Sequence, residues 1–312
     1  MRLYKQQNTA LDPIKEKGFK LEKDLQKITE DNLSNIFGLE FVTTEFQLNQ
    51  LRIDTLAYDD ESKSFVIIEY KRDRSFSVVD QGFAYLALML NNKADFILEY
   101  NEKMKGNLKR DDVDWTQSRV LFIAHGFTNH QKEAINFKDL PIELWEVRKY
   151  ENDLVSFNPI KAIKTAESIN TLSKDENVKK ITQQVKTLTV DDHIKEDWDS
   201  SRELYETLRE KLFGLDERFE EVSRRHYISY KIGTTSIIQM KIRKSKIRLE
   251  LTRTQLKDIK DPEKKVSYIE KSFEHWNQHM SYMDIVTDQD VDYAMFLIKQ
   301  LMERFTKEKI IN

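Results

Sequence analysis

Residues 51–90 read LRIDTLAYDDESKSFVIIEYKRDRSFSVVDQGFAYLALML and contain the strongest structural signals in the first half of the chain. Two runs rich in Val, Ile, Thr and Tyr, 51–58 and 64–71, are separated by the polar turn DDESK. That arrangement predicts two strands joined as an antiparallel pair. The run at 76–92 returns to a pattern typical of a helix. We therefore expect a sheet with a helix packed against it.

The sequence on either side extends this sheet and adds further helices. A helix over 21–37 is expected to end at Gly38, since glycine is the usual residue after the last helical turn. The other predicted elements are a strand pair within 1–19, strands over 39–48, 94–100, 118–126 and 141–150, and a short helix over 130–137. The first 160 residues thus predict an α/β domain, a mixed sheet with helices on its faces.

The second half of the chain predicts a different and smaller unit. Residues 161–200 are rich in Lys, Thr, Ser, Asp and Asn and are interpreted as a polar linker, with an amphipathic stretch near 178–188. Within 201–312 we predict helices over 202–215 (ended by Gly214), 216–230, 263–276 and 288–307, and a hairpin over 236–252 that turns near 244–246. This predicts a small α+β accessory domain.

Composition excludes several classes of function. Lys and Arg number 51 against 54 Asp and Glu, a net charge of −3, so the chain is neither a polycation nor an acidic tail protein. There is no Cys, which excludes disulfides, Cys-ligated metal and thiol catalysis and favours a cytoplasmic location. No export signal is read at the start, and the longest apolar run, 83–90, is far shorter than the roughly 20 residues that a membrane span needs.

Three charged residues lie where strands of this sheet are expected to be buried. Asp54 interrupts an apolar strand, and Glu69 and Lys71 follow the apolar run 65–68, two apart and so on one face. Pairing of the two strands can bring Asp54 beside Glu69, and two adjacent carboxylates call for a cation such as Mg²⁺ or Mn²⁺. The alternative is a solvated strand end with a surface ion pair. The burial expected around both carboxylates favours a site.

The spacing of these residues resembles that of a known family. R-I-D at 52–54, fourteen residues between Asp54 and Glu69, I-E-Y-K-R at 68–72, and a helix with Gln81 and Tyr85 are similar to the PD-(D/E)XK nuclease superfamily. Within it, the NucS/RecB-nuclease-like branch is the most similar. The resemblance covers roughly residues 19–150 and includes EKDLQ in the first helix. The chain departs from the superfamily's name in having Ile rather than Pro before Asp54.

The resemblance implies a restriction-endonuclease-like fold that hydrolyses DNA phosphodiesters with Mg²⁺ or Mn²⁺ and leaves 5′-phosphate ends. It implies these roles: Asp54, Glu69 and the backbone carbonyl of Tyr70 as metal ligands, Lys71 as the catalytic lysine that assists the attacking water, Glu22 as an additional acid facing the pocket, and Gln81 near the metal or the scissile phosphate. Residues 201–307 resemble an uncharacterised α+β domain that follows such nuclease-like domains.

Local clusters of basic residues are the candidates for holding nucleic acid. Arg52, Arg72 and Arg74 flank the carboxylates. Between 241 and 265, ten Lys and Arg oppose four Asp and Glu, an asymmetry able to contact several phosphates. The residues selected from that segment are Lys241, Arg243, Lys244, Lys246 and Arg248. The alternative is an exposed hairpin whose lysines protect it from edge pairing.

These observations predict a metal-dependent nuclease that acts on nucleic acid, DNA more than RNA, with no membrane partner. The C-terminal domain would aid binding or dimerisation, and the resemblance makes a homodimer an expectation to test. The alternative is a catalytically silent nuclease-fold module that binds nucleic acid or a protein. A transporter-associated role would require a membrane protein as partner, and the sequence gives no sign of one.

Overall fold

A computed structural model of the chain describes residues 2–19, 21–49, 51–71, 77–137, 139–161, 176–185, 187–308 and 310–311. The chain forms two compact units, Met1–Thr187 and Leu188–Asn312. The division falls inside the segment predicted as a linker, of which 162–175 and 186 lie outside the described residues.

The first unit is built on a mixed six-stranded sheet, as predicted. A hairpin of β1 (Leu3–Gln7) and β2 (Ala10–Ile14) precedes it. The sheet has the order β3-β4-β5-β6-β7-β8, with β3 Glu40–Leu48, β4 Leu51–Asp59, β5 Ser64–Lys71, β6 Arg119–Ala124, β7 Ile142–Lys149 and β8 Val155–Ile160. Strands β5, β6 and β7 are parallel and the other neighbours antiparallel. The carboxyl ends of the three parallel strands therefore share one edge.

Helices cover both faces of this sheet. They are α1 Glu22–Glu30, α2 Leu33–Phe37, α3 Val78–Asn91, α4 Lys93–Met104, α5 Asn129–Ala134 and α6 Glu176–Gln184. Leu25 and Leu33 bring α1 and α2 against Ile68 and Tyr70 on one face, and the core on the other face includes residues of α3 and α4. The helix predicted over 21–37 is thus two helices, and it ends as expected at Gly38, which has a φ of 69°.

The strand predicted over 94–100 is wrong, because these residues belong to helix α4. The run is rich in residues that favour strands, but Phe96 and Tyr100 lie one helical turn apart. Both rings pack on Phe65, at 5.7 Å and 6.1 Å between centroids. The free energy gained by burying this aromatic pair outweighs the local preference of these residues for a strand.

Part of the segment predicted as a linker is packed in the first unit. Helix α6 corresponds to the amphipathic stretch expected there, and Ile181 and Val185 are buried in the same core as α3.

The second unit is an α+β domain with an antiparallel sheet of order β13-β14-β12-β11-β10-β9. Its strands are β9 Glu220–Ser223, β10 Ile228–Ile232, β11 Thr235–Arg243, β12 Lys246–Thr252, β13 Ser267–Tyr268 and β14 Met280–Ile285, and its helices are α7 Asp199–Leu215, α8 Ser272–Trp276 and α9 Asp288–Lys307. The predicted hairpin is confirmed, with Arg243 paired to Lys246 across the turn. Gly214 lies within α7 rather than ending it.

Two predicted helices of this unit are wrong. Residues 216–230 form β9 and the start of β10, where Ile228, Tyr230 and Ile232 alternate inward and are buried. Residues 263–276 contain only β13 and the short α8. The carboxylate of Asp261 accepts hydrogen bonds from the N–H groups of Lys265 and Val266 and so ties this backbone into a loop.

Within the described ranges, no helix combines the length and the apolar character needed to cross a membrane.

Candidate active site

The side chain of Asp54 takes the place of a main-chain carbonyl between two strands. Paired residues of β4 and β5 reach as far as Thr55 and Ile68. Beyond that pair, Oδ2 of Asp54 accepts the Tyr70 N–H at 3.1 Å. The alternation of β4 also changes here: Thr55 binds α1, yet Ile53, two residues away, packs in the core on the other face. Asp54 is thus fixed beside the residue that separates Glu69 from Lys71.

The carboxylate of Glu69 is buried and accepts three hydrogen bonds. Its Oε1 accepts from Lys71 Nζ at 2.7 Å and from Gln81 Nε2 at 3.0 Å. Its Oε2 accepts from the hydroxyl of Tyr85 at 2.9 Å. Gln81 and Tyr85 lie four residues apart on α3 and so share the face that meets the sheet. The rotamer of Glu69 is therefore held from two sides.

Burial raises the pKa of the Glu69 carboxyl above its ordinary value, and the nearby charge of Asp54 raises it further. The hydrogen bonds from Lys71 and Tyr85 act in the opposite direction. Burial raises the pKa of the Tyr85 hydroxyl as well, followed by the charge of Glu69. Tyr85 consequently stays protonated and remains a donor to Glu69.

Burial also raises the pKa of Asp54, although the hydrogen bond from the Tyr70 N–H lowers it. The positive charges of Lys71 and Arg52 lower it further, and the negative charge of Glu45 raises it. Asp54 and Glu69 each keep a raised pKa despite these cations. Because burial is the main cause in both cases, a bound cation would stabilise the ionised forms of the two carboxyls.

The donors of this pocket fit a hard divalent metal ion. All are oxygens, and in the part of the chain that the structure describes Oδ1 of Asp54 accepts no hydrogen bond. The N–H and C=O of a strand residue point to the same side, so the Tyr70 carbonyl faces the side of Asp54. Among the described residues no group of three or more His, Asp or Glu forms a metal site. Two carboxylates suffice for Mg²⁺, which completes its shell with water and substrate phosphate.

Helix α1 contacts Asp54 through a residue other than the predicted one. Glu22 is the exposed first residue of α1. One turn later, Gln26 Nε2 donates to the main-chain carbonyl of Asp54 at 3.0 Å and to Thr44 Oγ1 at 3.0 Å. Gln26 belongs to the EKDLQ segment quoted for the resemblance, but no role was predicted for it; its spacing of four from Glu22 is the signal that could have indicated one. No role was predicted for Tyr85 either, although Tyr85 lies one turn after Gln81.

The basic residues predicted around the carboxylates are described only in part. The side chain of Arg52 is 61% exposed, and its NH1 lies 3.7 Å from Oε2 of Glu45. Arg72 and Arg74 lie outside the described residues. Arg52 is therefore the one member of this predicted set that belongs to the described residues.

In the second unit, acidic neighbours neutralise most of the predicted basic cluster. Lys241 Nζ lies 2.7 Å from Glu250, and Lys244 Nζ lies 3.1 Å from Asp197. Lys246 and Arg248 both contact Asp284, at 2.5 Å and 3.3 Å, and the Arg248 guanidinium lies 4.0 Å from the ring centroid of Tyr282. Arg243 has no carboxylate partner among the described residues. The cluster therefore carries less uncompensated charge than its sequence suggests.

Comparison with known proteins identifies a relative and a domain. A model of a domain of unknown function (DUF5655) matches residues 190–303, inside the second unit. Over 305 residues the chain is 41% identical to an uncharacterized protein of Haemophilus influenzae strain Rd, and the alignment covers 97% of this chain and 100% of that protein.

Three solved structures share a limited likeness with this chain. An EndoMS–dsDNA2 complex has a TM-score of 0.26 and 16% identity, covering 38% of this chain and 43% of that one. A repair endonuclease from Pyrococcus abyssi has a TM-score of 0.22 and 16% identity, covering 38% and 44%. Pyrococcus furiosus SfsA in complex with Ca²⁺ has a TM-score of 0.23 and 14% identity, covering 44% and 61%. This chain spans less than two thirds of the length of each of these proteins. Because the TM-scores are this low, the likeness does not indicate a function.

Proposed function

Because the chain belongs to the same family as the uncharacterised Haemophilus influenzae protein, whose name gives no activity, we propose a function from the site itself. The chain would be a divalent-metal-dependent nuclease that hydrolyses phosphodiester bonds, with DNA as the first substrate to test. The observation that carries the proposal is the hydrogen bond from the Tyr70 N–H to Asp54. It fixes one carboxylate against the residue between Glu69 and Lys71.

The donors around Glu69 keep its carboxylate in one orientation. Gln81 and Tyr85 each donate a hydrogen bond to it, and both come from one face of α3. A buried group that is held in place before the reaction pays no reorganisation cost during it. Glu69 would therefore be ready to bind a cation, with Asp54 and the Tyr70 carbonyl as the other protein oxygens.

Mg²⁺ or Mn²⁺, when bound, would supply a Lewis acid that stabilises the charge developing on the phosphate. Lys71 would act beside it. Its ammonium lies 2.7 Å from Oε1 of Glu69, and the Lys71 side chain is 22% exposed. From this position Lys71 can orient an attacking water or stabilise a non-bridging phosphate oxygen, since an ammonium offers three donors.

A catalytically silent module remains the second candidate, and two observations favour it. Lys71 already supplies a positive charge at 2.7 Å from Glu69. In the described part of the chain, no group of three or more metal-ligating side chains is found. Under this candidate the pocket would be a stable ion-paired network, and the chain would bind nucleic acid or a protein without cutting.

Metal binding separates the two candidates. We would titrate Mn²⁺ and then Mg²⁺ into the full chain by calorimetry, and repeat both titrations with Asp54→Asn. The matched control is Asp60→Asn, because Asp60 is an exposed carboxylate in the turn after the same strand and pairs with Lys63. We expect one metal site, an affinity loss of at least about tenfold in Asp54→Asn, and no change in the control. Absent binding, or equal affinity in the wild type and Asp54→Asn, would contradict the enzyme and favour the silent module.

A further inference from the structure

Glu45 has a backbone conformation that strands normally exclude. Its φ is 49°, and it lies within β3, whereas the other non-glycine residues of positive φ in the described ranges lie in turns, loops or helix caps. A side chain in this left-handed region costs free energy that glycine would avoid. A glutamate occupies this position nevertheless, which suggests that its carboxylate has a role.

The distortion at Glu45 lies opposite the distortion at Asp54. Thr44 pairs with Thr55 and Phe46 pairs with Ile53, while Glu45 and Asp54, which lie between these pairs, are not paired with each other. Thr44 binds α1, yet Phe46, two residues on, packs in the core of the other face. In both strands the alternation of side chains between the two faces therefore shifts by one residue at the same position. Glu45 lies at this shift, outside the regular pairing of β3 with β4 and beside the candidate active site.

Two basic side chains lie on either side of the Glu45 carboxylate. Lys23 Nζ is 3.8 Å from Oε1, and Arg52 NH1 is 3.7 Å from Oε2. Both distances exceed a hydrogen bond, so each cation keeps its donors. Their side chains are 82% and 61% exposed. In the described part of the chain neither forms a second ion pair with a carboxylate, although the charge of Arg52 also acts on Asp54.

The same two cations flank the carboxylates of the proposed nuclease site. Arg52 lies two residues before Asp54 on β4, and its main-chain carbonyl oxygen lies 3.1 Å from the hydroxyl oxygen of Tyr85. Lys23 lies on α1, whose Gln26 donates to the carbonyl of Asp54. A polymer whose scissile phosphate met Asp54 and Glu69 would place a neighbouring phosphate within the reach of long, exposed side chains here.

We propose that Lys23 and Arg52 form a binding subsite for a backbone phosphate of nucleic acid, and that Glu45 occupies it as an internal competitor. The inference deepens the proposed nuclease function, on which it rests for the identity of the ligand. A phosphodiester carries one negative charge and two non-bridging oxygens, the same charge and acceptor number as a carboxylate. Arg52 can bind such a group with two parallel hydrogen bonds, and Lys23 as a point charge. Nucleic acid would thus displace Glu45 from contacts that are weak because they are long and exposed.

The test is binding without cleavage. We would measure the anisotropy of labelled single-stranded and duplex DNA with the full chain in EDTA, over a series of salt concentrations. Glu45→Gln removes the competing charge at nearly constant size, and Glu45→Gly also relieves the backbone. The double variant Lys23→Gln/Arg52→Gln removes the subsite. Asp60→Asn and Lys63→Gln are the controls, because that exposed pair lies in the turn between β4 and β5.

We expect both Glu45 variants to bind DNA roughly three- to tenfold more tightly at low salt, since one repulsive charge is lost. The double variant should bind about tenfold more weakly and lose roughly one unit of salt dependence for each phosphate contact removed. The control variants should match the wild type. Affinity unchanged in the Glu45 variants, or unchanged in the double variant, would overturn the subsite, as would the absence of any DNA binding.

The outcome is distinguishable from that of the nuclease proposal. Tighter binding by Glu45→Gln together with no cleavage in Mg²⁺ or Mn²⁺ would keep the subsite and reject the enzyme. If the chain cleaves DNA but the Glu45 variants and the Lys23→Gln/Arg52→Gln variant bind DNA as tightly as the wild type, the nuclease proposal stands and the subsite is rejected.

Discussion

At the scale of single residues, Asp54 combines a structural role with the metal-binding role proposed for it. Its Oδ2 accepts the Tyr70 N–H at a point where β4 and β5 no longer pair, and its Oδ1 accepts no hydrogen bond from the residues that the structure describes. Sequence alternation was enough to place Glu69 and Lys71 on one face and Asp54 nearby. It could not show that the Asp54 side chain lies between two strands, because this depends on a one-residue shift in the alternation of side chains that β3 and β4 share.

The substitution Asp54→Asn should stabilise the chain at neutral pH. Burial raises the pKa of Asp54 above its ordinary 3.8, so the ionised carboxylate disfavours the folded state. For a raised pKa this penalty grows as the pH rises from the unfolded value through the folded one, and it is absent in acid. The asparagine oxygen can still accept the Tyr70 N–H, so the hydrogen bond is kept.

Melting temperatures of the wild type and Asp54→Asn, measured from acid to neutral pH, check this prediction. The variant should melt higher at neutral pH, by roughly 2–4 °C for each kcal/mol, and the difference should vanish below the ordinary pKa. Asp60→Asn, at an exposed position, should show no such trend. A variant that melts lower than the wild type at neutral pH would show that the charge of Asp54 stabilises the fold.

At the scale of elements, the successes and errors of sequence prediction have physical causes. The strands β4 and β5 were predicted because their content of Val, Ile, Thr and Tyr and the polar turn between them are local signals, and β3 was predicted from the same kind of content. Helix α4 was missed because its identity depends on aromatic packing against Phe65, which only the folded sheet supplies. Residues 216–230 were misjudged because their charge density favoured a helix, while the inward alternation of Ile228 and Tyr230 pairs them with β11.

The position of Gln81 and Tyr85 depends on a close approach of α3 to the sheet at Gly82. A Cβ added to Gly82 would lie 2.4 Å from Cδ1 and 2.9 Å from Cγ1 of Ile142. Overpacking of this kind costs about 1–3 kcal/mol, against a gain of about 1 kcal/mol in helix propensity from alanine. Gly82→Ala should therefore lower the free energy of unfolding by about 1 kcal/mol and move Gln81 away from Glu69.

A double-mutant cycle tests this mechanism by denaturant unfolding. Ile142→Val removes the Cδ1 methyl group that the new Cβ would meet, so Gly82→Ala should cost much less in the Val background than in the wild type. Strictly additive effects of the two substitutions would mean that Ile142 does not limit the approach of α3.

At the scale of the whole molecule, the second unit has a core of its own. The buried apolar residues of this core run from Ile194 to Ile311, all after the division at Thr187. We therefore expect a fragment of residues 188–312 to fold alone, with a cooperative thermal transition and a circular dichroism spectrum of mixed α and β content. A fragment without a cooperative transition would show that this core depends on the first unit.

A cleavage assay decides whether the first unit hydrolyses nucleic acid with a divalent metal, as we propose. Labelled single-stranded, duplex and branched DNA, with RNA beside them, would be incubated with the full chain in Mg²⁺ and then Mn²⁺. Lys71→Ala would be compared with Lys63→Ala, an exposed lysine of the turn before the same strand. We predict cleavage that EDTA abolishes, that falls by about 100-fold or more in Lys71→Ala, and that persists in Lys63→Ala. No cleavage of any substrate in either metal, or equal cleavage by Lys71→Ala, would contradict the account.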